Sequence, residues 1–188
     1  MRRKLAGALA REKGRPPSCG LGRPASFSYA MPQPPLRIRS ATARDGSWIL
    51  PLAPRLHDFG PPPYRARGQM DRAVVASIAQ ALSGASPDAS VLVAESLAAE
   101  PLGFVHLHSA IDFFTGERHG HVSDIVVRAE AEGQGLGQAL MAAAEDWARS
   151  LGYRLLSLHV FDGNARARSF YERLGYSPDI VKLIKLLG

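Results

Sequence analysis

Apolar and polar positions follow two different periods along the chain, and the changes of period mark the predicted elements. Apolar residues at every second position predict strands, and apolar residues every three or four positions predict helices. Strands are predicted at residues 36–39, 90–95, 102–109, 121–127, 155–160 and 180–187. Helices are predicted at residues 43–56 (interrupted by Pro51 and Pro54), 70–82, 136–150 and 164–174.

The order of these elements predicts a mixed α/β (α+β) fold. Consecutive strands joined by short turns pair antiparallel, whereas strands separated by a helix can run parallel. We therefore expect a mixed central sheet of six to seven strands, with an antiparallel first half and helices on both faces. The predicted domain covers residues 36–188, because residues 1–35 show little periodicity.

The N-terminal 35 residues are rich in Arg, Gly, Pro and Ala and contain most of the uncompensated charge. Residues 1–30 have seven basic residues and one acidic residue, whereas the rest of the chain has 16 of each and is neutral. We expect a disordered basic extension. An Arg-rich, acid-poor transit peptide and a start at Met31 stay open as alternatives. Nucleic acid is not an expected partner, since the domain itself is neutral.

Cysteine content and hydropathy indicate in which cellular compartment the chain is expected. Cys19 is the only cysteine, so the chain forms no internal disulfide, and a reducing, cytoplasmic location fits best. No apolar run approaches the roughly 20 residues that span a bilayer, so no membrane contact is expected.

Three glycines, Gly133, Gly135 and Gly137, lie between a β-branched strand and a predicted helix. Such a turn lets the backbone approach a ligand, and the unpaired N–H groups of the helix attract an anion. A P-loop needs Lys-Ser/Thr after its last glycine, but Gln138-Ala139 follows here. A dinucleotide-binding fingerprint needs a further glycine at the position of Gln138, so neither motif is matched. An acyl-CoA pyrophosphate turn and a turn without a ligand stay open.

A second motif follows at residues 164–176, with Asn164, Ala167, Phe170-Tyr171 and Leu174-Gly175-Tyr176. Together with the glycine turn it resembles the GCN5-related N-acetyltransferase (GNAT) superfamily. The resemblance covers residues 36–188 in element order and is most specific over residues 120–176. One residue departs from the family's pattern, because Glu132 stands where the family usually has Arg or Gln.

The resemblance implies an acyl-CoA N-acyltransferase fold that binds acetyl-CoA as acyl donor where two strands splay apart. The backbone of Ile125, Val126 and Val127 would pair with the pantetheine arm. Asn164 would hydrogen-bond the same arm, although an N-cap of the last helix fits the sequence equally well. The pyrophosphate would be held by backbone N–H groups of Gly133, Gln134, Gly135, Leu136, Gly137 and Gln138.

The same resemblance places Tyr171 near the cofactor sulfur, where a phenol can protonate the departing thiolate; aromatic packing is the alternative. An amine with a pKa of about 10.4 costs roughly 4.6 kcal/mol to deprotonate at pH 7, so a base is expected. His121 and Asp124 are the candidates, with His119 at the start of the same strand. Solvent-facing positions on an edge strand are the alternative for each.

These features predict an N-acetyltransferase that moves an acetyl group to a primary amine of a small molecule or peptide. The alternative, motivated by Glu132, is a catalytically idle acyl-CoA-binding regulatory module. The first two helices and the loop 112–119 are expected to select the acceptor. No metal is expected, because His106 and His108 lack a third ligand at fixed spacing. A homodimer stays open.

Overall fold

The computed structural model describes residues 36–187, so the expectations for residues 1–35 lie outside it. The five strands are β1 (Leu36–Ser40), β2 (Ala89–Ser96), β3 (Pro101–Ile111), β4 (Arg118–Val127) and β5 (Leu156–Leu158). The four α-helices are α1 (Gly46–Leu52), α2 (Arg67–Leu82), α3 (Leu136–Ser150) and α4 (Ala165–Arg173). Short 3-10 turns cover Ala43–Asp45, Ala53–His57 and Ala129–Ala131.

The strands form one sheet in the order β1-β2-β3-β4-β5. Strands β1 to β4 pair antiparallel, and β5 pairs parallel to β4 after the α3 crossover. The mixed sheet with an antiparallel first half is thus confirmed. None of the described helices is long and apolar enough to cross a membrane.

The predicted number of strands was wrong, because the sheet formed by residues 36–187 has five strands rather than six to seven. The strand predicted at residues 180–187 has no regular secondary structure, and its large apolar side chains are exposed. Its apolar residues fall on both faces without alternating, and a strand is stable only with a partner backbone. The neighbouring β5 is three residues long and offers little edge for such pairing.

Two apolar cores cover the two faces of the sheet, which confirms helices on both sides. One core joins α3 to inward-facing residues of β3 and β4, including Val105 and Val122. The other core joins α1 and α2 to the opposite face, including Phe104 and Val126. Val105 and Phe104 are neighbours in β3 that point to opposite faces, as the strand period of two requires.

Strand β4 contains one extra residue in its middle. His106 of β3 lies opposite Asp124, while Leu107 lies opposite Val122, so Ser123 is the bulged residue. A bulge shifts the alternation of the strand by one position. Along β4, successive residues turn their backbone N–H and C=O groups alternately toward β3 and toward the other edge. This alternation is therefore offset by one residue between the first and second halves of the strand.

Candidate functional site

In the described sheet, the pairing of β4 with β5 ends at Val122, and the edge of β4 beyond the bulge has no strand partner; this unpaired stretch beside β5 is called the gap. Strand β5 pairs only with Gly120, His121 and Val122. In the second half of β4, the N–H of Arg128 donates to Leu102 O at 2.8 Å. Antiparallel pairs alternate, so Val126 also bonds to β3, while the N–H and C=O groups of Ile125 and Val127 point toward the gap.

The three strand residues expected to bind pantetheine therefore differ in the direction in which their backbone N–H and C=O groups point. Ile125 and Val127 turn both groups toward the gap, as an edge strand does, and Val127 O accepts there from Arg55 Nη1 at 2.6 Å. Val126 uses its backbone on β3 and buries its side chain against α1 and α2. The gap lies where the family resemblance implies that two strands splay apart.

The glycine turn closes one end of the gap. Gly133 and Gly135 have φ values of +77° and +82°, in the left-handed region that favours glycine. Helix α3 begins at Leu136, and its first intrahelical bond joins Ala139 N–H to Gly135 O at 3.0 Å. The N–H groups of residues 136–138 precede that bond, so they are free of helical partners and can bind an anion.

The other positions of the predicted pyrophosphate turn also contribute to packing and to the turn itself. A Cβ at Gly137 would lie 3.2 Å from Cζ of Phe170, so the close packing of α3 on α4 requires a small residue there. The Gln134 side chain donates to Glu130 O at 3.0 Å, and Gln138 is exposed. The backbone N–H groups of these residues are thus the candidates for ligand contact.

Asn164 is the N-cap of α4. Its Oδ1 accepts from Ala167 N–H at 3.1 Å, which satisfies one of the free donors at the helix start. The side-chain amide N–H₂ is not part of this bond. The cap and a contact to the pantetheine arm are therefore compatible in one residue.

Tyr171 of α4 lies partly buried against the α3 core, between Phe170 and Tyr176. Burial raises the pKa of Tyr171 to about 12, and the nearby negative charge of Asp124 adds to the increase. The structure therefore brings two of the predicted catalytic residues, from β4 and α4, close enough to interact. The phenol stays protonated at neutral pH and can donate a proton.

Asp124 has a partner that the sequence did not reveal. Its Oδ2 lies 2.8 Å from Nδ1 of His106, and both side chains are buried. A buried carboxylate needs such a hydrogen bond to offset its lost hydration. Counting back from the β3–β4 hairpin places His106 opposite Ser123, and only the bulge brings it opposite Asp124. No pattern in the sequence indicates that shift.

His121 lies two positions before the bulged Ser123, in a group of imidazoles. Its Nδ1 lies 2.8 Å from Ser157 Oγ, and its ring packs between His108 and His159 at centroid distances of 4.9 and 4.7 Å. Burial lowers the pKa of His121 to about 4, with His159 and His108 contributing next. His119 also reaches Ser157 Oγ, at 3.1 Å.

The predicted bases are shielded from solvent. His121 and Asp124 are each 9% exposed, so neither is a solvent-facing edge residue. His121 is neutral at pH 7 and able to accept a proton, although its low pKa makes it a weak base. Within residues 36–187, no group of three or more His, Cys, Asp or Glu side chains is arranged to hold a metal ion.

Glu132 is paired with two arginines that the sequence did not point to. Its Oε1 accepts from Arg55 at 2.8 Å and its Oε2 from Arg166 at 2.7 Å. These hydrogen bonds, with Arg166 first and Arg55 next, lower the pKa of Glu132. Arg55 is 77 positions away in sequence, so no local pattern predicts the contact. The pairing weakens the electrostatic objection to an anion at this turn.

The loop expected to help select the acceptor lies apart from this site. It is shorter than predicted, because β4 already begins at Arg118. Asp112 Oδ1 accepts from Phe114 N–H at 3.0 Å and from Thr115 N–H at 2.8 Å, so its carboxylate stabilises the loop. Seven strand positions, roughly 20 Å, separate Glu117 from Asp124.

The unpaired edge of β4, the glycine turn and the neighbouring Asp124 and Tyr171 are the features of the candidate site. The Acetyltransferase (GNAT) family model matches residues 56–176, which contain all of these features. The chain belongs to the GNAT acetyltransferase family.

Relatives of known sequence agree with this assignment. The uncharacterized N-acetyltransferase YhfO of Bacillus subtilis is 29% identical over 144 residues, covering 77% of this chain and 91% of that protein. Aminoalkylphosphonate N-acetyltransferase of Salmonella typhimurium is 31% identical over 88 residues, covering 47% of this chain and 57% of that protein. A mycothiol acetyltransferase of Beutenbergia cavernae is 41% identical over 59 residues, covering 31% of this chain and 20% of that protein.

Solved structures share the fold. A GCN5-related N-acetyltransferase from Ralstonia eutropha superposes with a TM-score of 0.67 at 18% identity, covering 82% of this chain and 100% of that one. Ribosomal-protein-alanine N-acetyltransferase from Brucella melitensis gives a TM-score of 0.60 at 21% identity, covering 81% of this chain and 100% of that one.

Proposed function

We propose that this protein transfers the acetyl group of acetyl-CoA to a primary amine of a small molecule or peptide by direct attack. The observation that supports this most is the gap between β4 and β5. There, within residues 36–187, the backbone groups of Ile125 and Val127 form an edge that lacks a strand partner, and of these groups only Val127 O has a side-chain donor, Arg55 Nη1 at 2.6 Å. A pantetheine arm has amides that can pair with such an edge, and its pyrophosphate then meets the N–H groups of residues 136–138.

The transfer needs a neutral amine and a protonated leaving group. The amine nitrogen attacks the thioester carbonyl carbon, a C–N bond forms, and the C–S bond breaks to release a thiolate. Tyr171 is our proton donor to that thiolate, because its high pKa keeps it protonated at pH 7. Asp124 lies near enough to Tyr171 to act on the same reaction centre.

Two residues compete for the proton of the amine. Proton transfer from an amine of pKa about 10.4 to an imidazole of pKa about 4 costs about 9 kcal/mol. That cost does not favour a carboxylate over the imidazole, because carboxylic acids are of similar acid strength. We propose Asp124 as the primary acceptor because His106 holds its orientation and because its charge acts on Tyr171, the proposed proton donor. For either residue, transfer becomes easier with an amine of lower pKa or when bound acceptor changes the surroundings of the base.

Calorimetry with acetyl-CoA tests donor binding, and a thiol-release assay over an amine panel tests turnover. The panel includes an aminoalkylphosphonate, because the Salmonella relative is named for that acceptor. Binding followed by thiol release with at least one amine is the expected result. Binding without release on any amine supports the idle acyl-CoA-binding module, and absence of binding contradicts both functions.

A matched pair of glycine substitutions separates donor binding from folding. Gly133 and Gly116 have φ values of +77° and +71°. At both positions an added Cβ would have open space, with no non-neighbouring atom within 4 Å. Alanine at either position carries a similar backbone strain of about 1 kcal/mol. Only Gly133→Ala is expected to weaken acetyl-CoA binding, by about tenfold, and equal affinities of the two variants would contradict the site.

A further inference from the structure

Arg55, Glu132 and Arg166 form an ionic cluster beside the glycine turn. One carboxylate oxygen of Glu132 accepts from Arg55 and the other accepts from Arg166. Two guanidinium groups thus surround one carboxylate, and the cluster has a net charge of +1. The three residues come from the 3-10 turn Ala53–His57, the glycine turn and α4, so folding of the whole domain is needed to assemble them.

Arg55 also reaches into the gap between β4 and β5. Its Nη1 donates to Val127 O at 2.6 Å, on the backbone edge that faces the gap. Its Nε lies 3.5 Å from Asp58 Oδ2, and one N–H on each of Nη1 and Nη2 has no role in these contacts. Arg55 is 31% exposed, which leaves its guanidinium accessible from solvent.

Arg166 occupies the opposite side of the carboxylate. It stands in the first turn of α4, is 80% exposed, and contacts Glu132 through a single Nη2 bond. Its remaining N–H groups face solvent or a ligand. Guanidinium groups bind phosphate oxygens in a bidentate geometry, and two of them beside free helix N–H groups form a stronger anion site than either feature alone.

We propose that Arg55 and Arg166 bind the pyrophosphate of the acyl-CoA donor and that Glu132 positions them. This inference rests on the proposed function. The carboxylate at the turn is then useful because it fixes both guanidinium groups at the mouth of the gap. The pantetheine end of the ligand meets Val127, so Arg55 spans the junction between the two parts of the donor.

Donor fragments test the inference. Dissociation constants are measured by NMR titration, which covers millimolar affinities, for acetyl-CoA, 3′-dephospho-acetyl-CoA and S-acetyl-pantetheine. Arg55→Ala is expected to weaken the first two by about tenfold and Arg166→Ala by about fivefold, with S-acetyl-pantetheine unchanged. An equal loss for S-acetyl-pantetheine overturns the pyrophosphate assignment, as does a loss that disappears with 3′-dephospho-acetyl-CoA.

Two further variants complete the design. Arg149 is an exposed arginine with two carboxylate partners at the other end of α3, so Arg149→Ala is the matched control and should bind like wild type. Glu132→Gln removes a negative charge, yet we expect weaker acetyl-CoA binding because the arginines lose their anchor. Tighter binding by this variant overturns the positioning role.

The same titrations separate the arginine assignment from the acetyltransferase function. If wild type binds and uses acetyl-CoA while both arginine variants bind equally well, the arginine assignment alone is wrong. If wild type binds none of the three donors, the proposed function is wrong and the inference fails with it.

Discussion

Nδ1 of His106 lies 2.8 Å from Oδ2 of Asp124, across the β3–β4 pair and out of contact with bulk water. The two residues stand directly opposite each other in the register. The imidazole thus fixes the orientation of a carboxylate that also acts on Tyr171. The proposed base, its support and the proposed acid come from β4, β3 and α4, respectively.

Removal of the carboxylate should abolish most of the turnover. Asp124→Asn keeps the size of the side chain but cannot accept the proton of the amine, so kcat should fall by about 10² or more. Affinity for acetyl-CoA should change less than threefold, since the proposed donor contacts do not include this side chain. His106→Asn is expected to lower kcat by about tenfold through loss of orientation. Circular dichroism checks folding, and an active Asp124→Asn variant would exclude this residue as base.

Tyr171 and Tyr176 form a natural pair for comparison. Tyr171→Phe should lower kcat by about 10² while acetyl-CoA affinity stays nearly the same, because only the proton donor is lost. Tyr176 contacts the same core, but its hydroxyl donates to Glu145 Oε1 at 3.5 Å. Tyr176→Phe should therefore leave kcat within twofold. Steady-state thiol release measures both, and equal effects would assign the two tyrosines to packing.

Substitutions of Asn164 separate its cap from its contact to the donor. Asn164→Ala should cost about 0.5–2 kcal/mol of unfolding free energy, because Ala167 N–H loses its acceptor. Asn164→Asp keeps that acceptor but loses the amide donor, so it should be as stable as wild type and bind acetyl-CoA more weakly. Denaturant unfolding and calorimetry give the two quantities. Wild-type affinity of Asn164→Asp would leave only the cap.

The histidine group should make folding sensitive to mild acid. The pKa of His121 is about 4 when folded, below the usual value of about 6.5 when unfolded. Above pH 6.5 both states are neutral, whereas between pH 6.5 and 4 the unfolded chain alone binds a proton. Stability should therefore fall over that window, by up to about 3 kcal/mol from this residue.

The control for this prediction uses a neighbour in the same group. His121→Asn should flatten the dependence of unfolding free energy on pH between 6.5 and 4, whatever its effect on absolute stability. His159 is exposed and has no comparable burial, so His159→Asn should keep most of the slope. Burial also lowers the pKa of His108, which accounts for a remaining slope in the first variant. An unchanged slope in His121→Asn would contradict the prediction.

Local patterns predicted most of the fold. The α3 limits at residues 136–150 match the prediction because a glycine turn marks the start and a long Ala- and Leu-rich segment follows it. The other described strands and helices lie within a few residues of their predicted bounds. The strand at 180–187 failed because apolar content alone does not supply a partner, and pairing is a tertiary property.

The positions of some candidate site residues follow from the order of the elements. The glycine turn and Asn164 lie at helix starts, which the changes of period locate, whereas Tyr171 was named only from the family resemblance. Their roles stay predictions. His106, Arg55 and Arg166 could not be found this way. His106 reaches Asp124 through a bulge with no sequence signature, and Arg55 meets Glu132 through packing of distant elements.

The extra residue at Ser123 divides β4 into two halves that can evolve separately. Before it, the strand presents His121 and its neighbours on the α1/α2 side of the sheet; after it, Ile125 and Val127 present only main-chain atoms to the gap. Every amino acid except proline has both main-chain groups, so other substitutions at Ile125 and Val127 keep the groups that face the gap, whereas Asp124 in the same half depends on its side chain. Substitutions in the earlier half would instead alter the imidazole group around His121 and leave the main-chain groups of Ile125 and Val127 unchanged.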